Sequence, residues 1–525
     1  DGDKASGTLN VAVNDDTPTG GAGTTAWLND DTLTGGNADG TGDHGLANVN
    51  NTLKHSFGAD GAGGIAWTGI TVVNGGDAAD FTTDVSADGK TLEVYQNGTL
   101  VITATLDPLT GKYSLSQNAP IEHVAGGNEN EIKFKFLYDV TDGDGDTAPG
   151  YIWVNVDDDT PIVDSTQNAA VQLDDDDVSG AGGNTGFGNP SRDPLPNGTF
   201  PADGAGSDEA GSVANGTSEA SGTLDNSYGA DGAGSLVLTG VTLPGAGGFS
   251  VTTSTETQLI VSQDQNGTSV EVLQITLSNT TDGDYTVTQL ASINHAGDDS
   301  EDDVAFTVNY LVTDGDGDTA TGTLDINVDD DTPVIAAHNR ANVRIISDDD
   351  TVPGLNGNPG FGDQTNDGAG SDSPEWLRLG AILPHKFGAD GAGSVTWNAS
   401  TSGLNTRSDN GVDADSGITF EVDAATGDLL LLQDQGGTAP QIVARVELNT
   451  ATGAYTFVKV TNLLHNADGN TPDVEDDAHF ILGYTVTDGD GDTVEGTIDL
   501  IIDDDTPVVD STQNAAVQLD DDDVS

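Results

Sequence analysis

The frame Asp-Gly-Asp-Gly-Asp occurs three times, at residues 142–146, 314–318 and 488–492. Each copy is followed, one short alternating apolar run later, by an acidic triplet closing in Thr-Pro, at 157–161, 329–333 and 503–507. A further pair opens the chain: Asp1-Gly2-Asp3, then Asn14-Asp15-Asp16-Thr17-Pro18. A motif pair recurring at such intervals implies a tandem array. Between closing prolines, Pro18 to Pro161 is 143 residues, Pro161 to Pro333 is 172 and Pro333 to Pro507 is 174. The expected organisation is the end of a preceding repeat at 1–18, repeats at 19–161, 162–333 and 334–507, and the start of a further repeat at 508–525. Residues 509–525 repeat 163–179 without a change, as expected of a fragment of a long array with near-identical copies. The longer repeats carry Gly/Asn/Pro-rich stretches near their starts, about 178–220 and 351–372, which read as surface excursions on a fixed scaffold.

Within each repeat the apolar residues alternate. Phe306, Val308, Tyr310 and Val312 match Phe134, Phe136, Tyr138 and Val140, and again Phe480, Leu482, Tyr484 and Val486. A period of two is the mark of a half-buried strand. After the Asp-Gly loop a second such run follows, as in Leu324, Ile326 and Val328. Further strands are expected at 92–95, 100–106, 259–261, 270–277, 429–432 and 442–448, with turns such as Gln96-Asn97-Gly98 between them. No amphipathic helix stands out. Many short strands with regular turns predict an all-β chain of tandem immunoglobulin-like or cadherin-like sandwiches. Trp67, Trp153 and Trp397 are expected in the cores.

Charge narrows the partners. The chain has 14 basic and 88 acidic residues, a net charge of −74. That excludes nucleic acid, whose phosphates need Lys and Arg, and argues against anionic lipid. No stretch of about 18 apolar residues exists, so no membrane insertion is expected, and no N-terminal signal is visible. Cysteine and methionine are absent, which rules out disulfides and thiol chemistry. With 34% hydrophobic residues and 5% aromatics, such a chain is either disordered or relieved of its self-repulsion by bound cations. The strand patterns favour the second.

In an immunoglobulin-like sandwich the loop joining the last two strands lies at the end where the chain enters, and the last strand exits at the other end. The exit run of one repeat then meets the Asp-Gly loop of the next. Asp15 and Asp16 are expected to face Asp142, Asp144 and Asp146. Asp157, Asp158 and Asp159 should face Asp314, Asp316 and Asp318, and Asp329, Asp330 and Asp331 should face Asp488, Asp490 and Asp492. Calcium takes six to eight oxygens, and short carboxylates separated by glycines suit it; magnesium keeps its waters, and zinc prefers His or Cys. A single Asp-Gly run is an ordinary solvated turn, but three at fixed register with acidic partners point to Ca2+ at the junctions.

Two weaker acidic sets are expected near the exit end, as extra ligands or as charged surface: Asp30–Asp31, 174–177, 348–350 and 520–523 after the first strand, and 298–303 and 473–477 before the Phe-rich strand. The turn Gly-Ala-Asp-Gly-Ala-Gly recurs at Gly58, Gly229 and Gly388. Its Asp60, Asp231 and Asp390 read as turn residues before metal ligands. His123, His295 and His465 recur at one position and read as structural hydrogen-bonding residues, since no nucleophile repeats beside them.

Thr-Asp-Gly-Asp-Gly-Asp-Thr, Asp-Asp-Asp-Thr-Pro and the Phe-x-Val-x-Tyr-x-Val-Thr-Asp strand together resemble the extender repeats of giant RTX adhesins exported by type I secretion. The 143-residue spacing of the first repeat resembles one repeat class of these proteins. The resemblance implies an extracellular, calcium-loaded, monomeric stalk on a bacterial surface, serving biofilm or host attachment and contacting calcium and its own neighbouring repeats. The expected function is a non-enzymatic extender. The alternative is a binding module whose loops recognise a glycan or a protein. A hydrolase with paired carboxylates is disfavoured, because the acidic sites recur in every repeat.

Overall fold

The computed structural model describes residues 2–38, 45–126, 129–175, 178, 218–295, 304–336, 344–348, 379–404, 417–437, 439–464 and 478–503. The excursions at 179–217 and 351–372, His465, and the acidic residues at 298–303, 473–477 and 520–523 lie outside the described residues, as do Asp504, Asp505 and the segment 508–525. The described chain is all-β, with two single 3-10 turns at Asp30–Thr32 and Ser165–Gln167.

The first repeat shows the plan. Its strands are β1 (Thr19–Gly20), β2 (Ala22–Asn29), β3 (Asn48–Thr52), β4 (His55–Ser56), β5 (Ala62–Asn74), β6 (Phe81–Val85), β7 (Thr91–Gln96), β8 (Thr99–Leu106), β9 (Lys112–Gln117), β10 (Glu131–Asp142) and β11 (Thr147–Asp157). One sheet has the order β2-β11-β10-β5 and the other β3-β9-β8-β7-β6, with β1 pairing β4. Along β10 the alternation is complete: Ile132, Phe134, Phe136, Tyr138 and Val140 are buried and their neighbours face outward. Each such side chain removed from water contributes about 1.5–3 kcal/mol. The Gln96-Asn97-Gly98 turn joins β7 to β8, with Asn97 left-handed at φ 49°, as a two-residue hairpin requires.

β10 and β11 are antiparallel, but β2 runs parallel to β11, from Tyr151↔Ala22 to Asp157↔Asn29. Parallel pairing of the first and last strands means that the chain enters beside the β10–β11 loop and leaves at the far end. The second and third repeats repeat this order, with Val171–Asp174 parallel to Thr319–Asp329 and Ile345–Asp348 parallel to Thr493–Asp503. Three hydrophobic cores result, drawn from residues 26–156, 171–328 and 345–502, and each includes its own Phe-rich strand.

Trp67 and Trp397 are core residues, but Trp153 is not. Ile152, Val154 and Val156 point inward, so Trp153 faces out. There the Lys133 and Lys135 ammoniums each lie 4.9 Å from its ring centroid, a geometry attractive to a cation.

One tyrosine in each Phe-rich strand ties the sheet to an earlier segment. Tyr138 Oη donates to Lys54 O (2.8 Å), Tyr310 Oη to Asp225 O (2.8 Å) and Tyr484 Oη to Pro384 O (2.8 Å). Y310F removes that bond, so unfolding of the second repeat should become easier by about 0.5–1.5 kcal/mol. Chemical denaturation followed by circular dichroism reads this; an unchanged midpoint would assign the hydroxyl no net role.

Candidate metal centre

The Asp-Gly loop is built by its first aspartate. Asp142 Oδ1 accepts the N–H of Gly145 (3.1 Å) and of Asp146 (2.9 Å). Asp314 does the same with Gly317 and Asp318, and Asp488 with Gly491 and Asp492. The three aspartates are buried, and in each the second oxygen, Oδ2, has no hydrogen-bond partner. The two glycines serve different needs. Gly145, Gly317 and Gly491 have φ of 111–127°, open to glycine. Gly143, Gly315 and Gly489 admit another loop: a Cβ there would lie 2.1–2.3 Å from the carbonyl oxygen of Asp60, Asp231 or Asp390.

That second loop is the Gly-Ala-Asp-Gly-Ala-Gly turn, and the exit run holds it from the other side. Ala59 N–H donates to Asp16 Oδ2 (2.6 Å), Ala230 N–H to Asp159 and Ala389 N–H to Asp331. Asn37 of the first repeat adds its N–H to Asp159 (3.1 Å) and its side-chain amide to Thr160 O (2.8 Å). Asp157 and Asp329 end their strands in register with Asn29 and Asp174.

The middle residue of the exit run reaches the next repeat. Oxygens of Asp158, Asp231 and Asp316 lie within 4.8 Å of one another. Asp15, Asp60 and Asp144 form the corresponding group upstream, and Asp142, Asp144 and Asp146 form one within the loop itself. At the 333/334 boundary Asp390 is surrounded by the charges of Asp330, Asp175, Asp490 and Asp488. Of the residues expected to face one another, Asp158 lies by Asp316 and Asp15 by Asp144, while Asp16, Asp159 and Asp331 hold the Gly-Ala-Asp turn instead. Sequence reasoning ranked the turn role of Asp60, Asp231 and Asp390 above metal binding, whereas Asp60 and Asp231 also join the carboxylate groups and Asp390 lies among like charges. The signal was available in the constant register of their motif with the Asp-Gly loop.

The first repeat provides an internal contrast. Asp15, Asp144 and Asp146 are exposed. Asp318 and Asp492, which face a preceding repeat, are buried.

Behind each junction stands a histidine. His123 Nδ1 is 3.0 Å from Asp158 Oδ1, and His295 Nδ1 is 3.0 Å from Asp330 Oδ1. The other ring nitrogen faces the carbonyl of Val156 (3.3 Å) or Val328 (3.4 Å). In His123 both ring nitrogens thus meet acceptors, which favours the imidazolium. Burial works against that charge, but the Asp158 hydrogen bond and charge hold His123 up at about 9. Asp30 and Asp175 close the same pockets. Asp30 accepts Ile121 N–H (2.8 Å) and the Gln117 amide, and burial pushes it up to about 8 against the pull of His123. Burial likewise lifts Asp158 to about 6, with His123 opposing. Asp231 rises to about 9 through burial and then the charges of Asp30, Asp316 and Asp158. Burial and crowding also raise Asp314, Asp488 and Asp390.

Such an arrangement is costly on its own, because buried carboxylates without partners repel and are poorly solvated. The donor set is all oxygen, anionic and convergent, with orphaned oxygens on Asp142, Asp158, Asp314 and Asp316. It fits a hard divalent cation of the calcium type. The nitrogens of His123 face Asp158 and the Val156 carbonyl, which does not present the free imidazole that zinc prefers.

The sequence profile of a family described as "Domain of unknown function (DUF5801)" matches three times, at residues 25–152, 204–327 and 355–501. The chain belongs to the DUF5801 family. Each DUF5801 match falls on one of the three sandwiches. No curated protein sequence matches the chain. Among solved structures the fold is similar to mouse cadherin-23 domains EC22–24, at 10% identity, with 93% of this chain and 99% of that chain covered and a TM-score of 0.25. Mouse protocadherin-24 EC1–3 matches at 9% identity, covering 95% and 99%, TM-score 0.25. Drosophila N-cadherin EC1–4 matches at 9%, covering 93% and 76%, TM-score 0.20. At these scores the likeness transfers no function. No described helix is long and apolar enough to cross a membrane.

Proposed function

We propose that this DUF5801 chain is a calcium-stabilised extender region of a secreted bacterial surface adhesin, with repeats at 19–161, 162–333 and 334–507. It projects a distal binding domain for biofilm or host attachment and has no catalytic role. The observation that carries this reading is the Asp158, Asp231 and Asp316 group. Its carboxylates come from both sides of the 161/162 boundary, so an ion among them would bridge two repeats. Asp330, Asp390 and Asp490 offer the same at 333/334. An array of this charge, −74 overall, gains stiffness from cations that turn repulsion at each joint into attraction. The extracellular setting and type I export rest on the resemblance of the motifs to RTX extender repeats.

Calorimetric titration of calcium into the chelator-stripped chain tests the reading. The expected dissociation constants are about 10⁻⁴–10⁻³ M, the range of extracellular modules. Proton release should accompany binding at pH 7, because metal-free Asp231 titrates at about 9 while calcium requires its carboxylate. The sign follows from the raised value. In chelator, Asp231 favours the closed junction fully below about pH 4, and that contribution is lost as pH rises through about 9. Calcium affinity should run the other way and fall on acidification. Titrations in two buffers of different ionisation heat count the protons; no binding up to tens of millimolar calcium would sink the assignment.

A further inference from the structure

The loop 121–126 follows β9 and touches the next repeat directly. His123 N–H donates to Asp316 Oδ2 (3.0 Å) and Gly126 N–H to Asp318 Oδ1 (2.8 Å). Ala125 packs on the same Asp-Gly loop so closely that a Cβ on Gly317 would lie 2.9 Å from its methyl. The next junction repeats the pattern: His295 N–H donates to Asp490 Oδ2 (3.0 Å), and Ser292 Oγ to Ala389 O (3.1 Å).

This loop is shaped by its own repeat before any neighbour is present. Gln96 grips Glu122 from both directions, donating to its carbonyl (2.8 Å) and accepting its N–H (2.8 Å). Gln263 does so with Asn294, and Gln433 with Leu464. Asp30 holds Ile121 from behind, as Asp175 holds Ile293. A clamp present in all three repeats belongs to the repeat's design.

His123 then connects two carboxylates that come from different places. Its ring takes Asp158 Oδ1 of the linker, and its main chain takes Asp316 Oδ2 of the following repeat. In each case the other oxygen, Asp158 Oδ2 and Asp316 Oδ1, is buried with no hydrogen-bond partner. One residue thus occupies one oxygen of each carboxylate and leaves the other without a hydrogen-bond partner, and both carboxylates belong to the shared group with Asp231.

We propose that loop 121–126 is a docking element for the Asp-Gly loop of the next repeat, and that His123 is its positioning residue, presetting Asp158 and Asp316 for one ion. The equivalent role falls to His295 at the next junction. The inference rests on the calcium reading for the ion, but the docking contact stands apart from it. Groups that orient metal ligands from behind commonly change affinity by about 10–100-fold when removed.

The absence of cysteine makes the test direct. Spin labels at T83C and S250C report the first junction of the full chain, and labels at S250C and T419C report the second. In calcium, H123A should broaden the 83–250 distance distribution and weaken calcium binding at that junction about 10–100-fold, leaving 250–419 sharp. H123N, whose amide can still donate to Asp158, should recover much of the affinity. A125E, an exposed change that leaves Asp158 untouched, should broaden 83–250 even if H123A compromises the first repeat. If H123A and A125E keep wild-type distances and affinity and only thermal stability falls, loop 121–126 is merely part of its own sandwich, and the proposal is wrong. If wild type binds no calcium, the extender reading fails separately. A sharp wild-type 83–250 distribution broadened by A125E would then still support docking, and an unaltered one would overturn it.

Discussion

Stripping calcium is expected to loosen the array along its whole length while each sandwich stays folded at lower stability. The cores stop at the boundaries, drawing on residues 26–156, 171–328 and 345–502, so losing a junction removes no core contact. What goes is the proposed cation between Asp158, Asp231 and Asp316 and its counterpart downstream, and the uncompensated carboxylates then repel. A ligand held at a hundred times its dissociation constant stabilises the state that binds it by about 2.7 kcal/mol. For repeats of this size that corresponds to about 5–10 °C in melting temperature per site. Small-angle scattering with and without chelator should show a broadened distance distribution, and calorimetry the lowered transitions. Superimposable scattering curves would mean that Pro161, Pro333 and the direct loop contacts hold the junctions alone.

Replacing Asp314, Asp316 and Asp318 together by Asn should free the 161/162 junction and leave 333/334 rigid. Asn keeps the shape and can still accept the Gly317 N–H that Asp314 now accepts at 2.9 Å, so the loop should fold. The charge is lost, and with it the ligands. Calcium affinity at that junction should fall by more than the roughly hundredfold expected from removing a mere supporting group. Distances from the 83–250 and 250–419 label pairs separate the two junctions. Loosening at 333/334 instead would invert the placement of the loop at the upstream end, which the parallel pairing of β2 with β11 argues against.

Much of this was legible because it is local or repeated. The Phe306, Val308, Tyr310 run and its counterparts at 134–138 and 480–484 have a period of two and became a strand in every repeat. The facing of Asp158 and Asp316 followed from strand order alone. In the sequence Asp231 reads as a turn residue or a metal ligand, and the turn is preferred, since a lone Asp in a glycine turn has an adequate local explanation. The pairing of Ala233 with Asp314 and the close approach of Gly315 to the Asp231 carbonyl bring the two loops together, 84 residues apart in sequence. Trp153 illustrates the opposite error. Register parity with Ile152 and Val154 put it outside, but the apolar area of indole argued for the core, and two lysines resolve the conflict by covering it. His123 read correctly as a hydrogen-bonding residue, but nothing in the sequence announced that its main chain crosses to the next repeat.

The side-by-side course of β2 and β11 has a mechanical consequence. On the extender reading proposed above, the chain is pulled from its two ends, and the strands leading to those ends lie parallel over six registered pairs, Ala22–Tyr151 to Asn29–Asp157. Tension applied along the chain loads these hydrogen bonds lengthwise, in shear, so that they must fail nearly together. An antiparallel hairpin pulled from its open end would unzip one bond at a time at far lower force. Each repeat is thus wired to carry load through the same strand that delivers Asp158 to its neighbour, placing the strength of the domain and the stiffness of the joint in series.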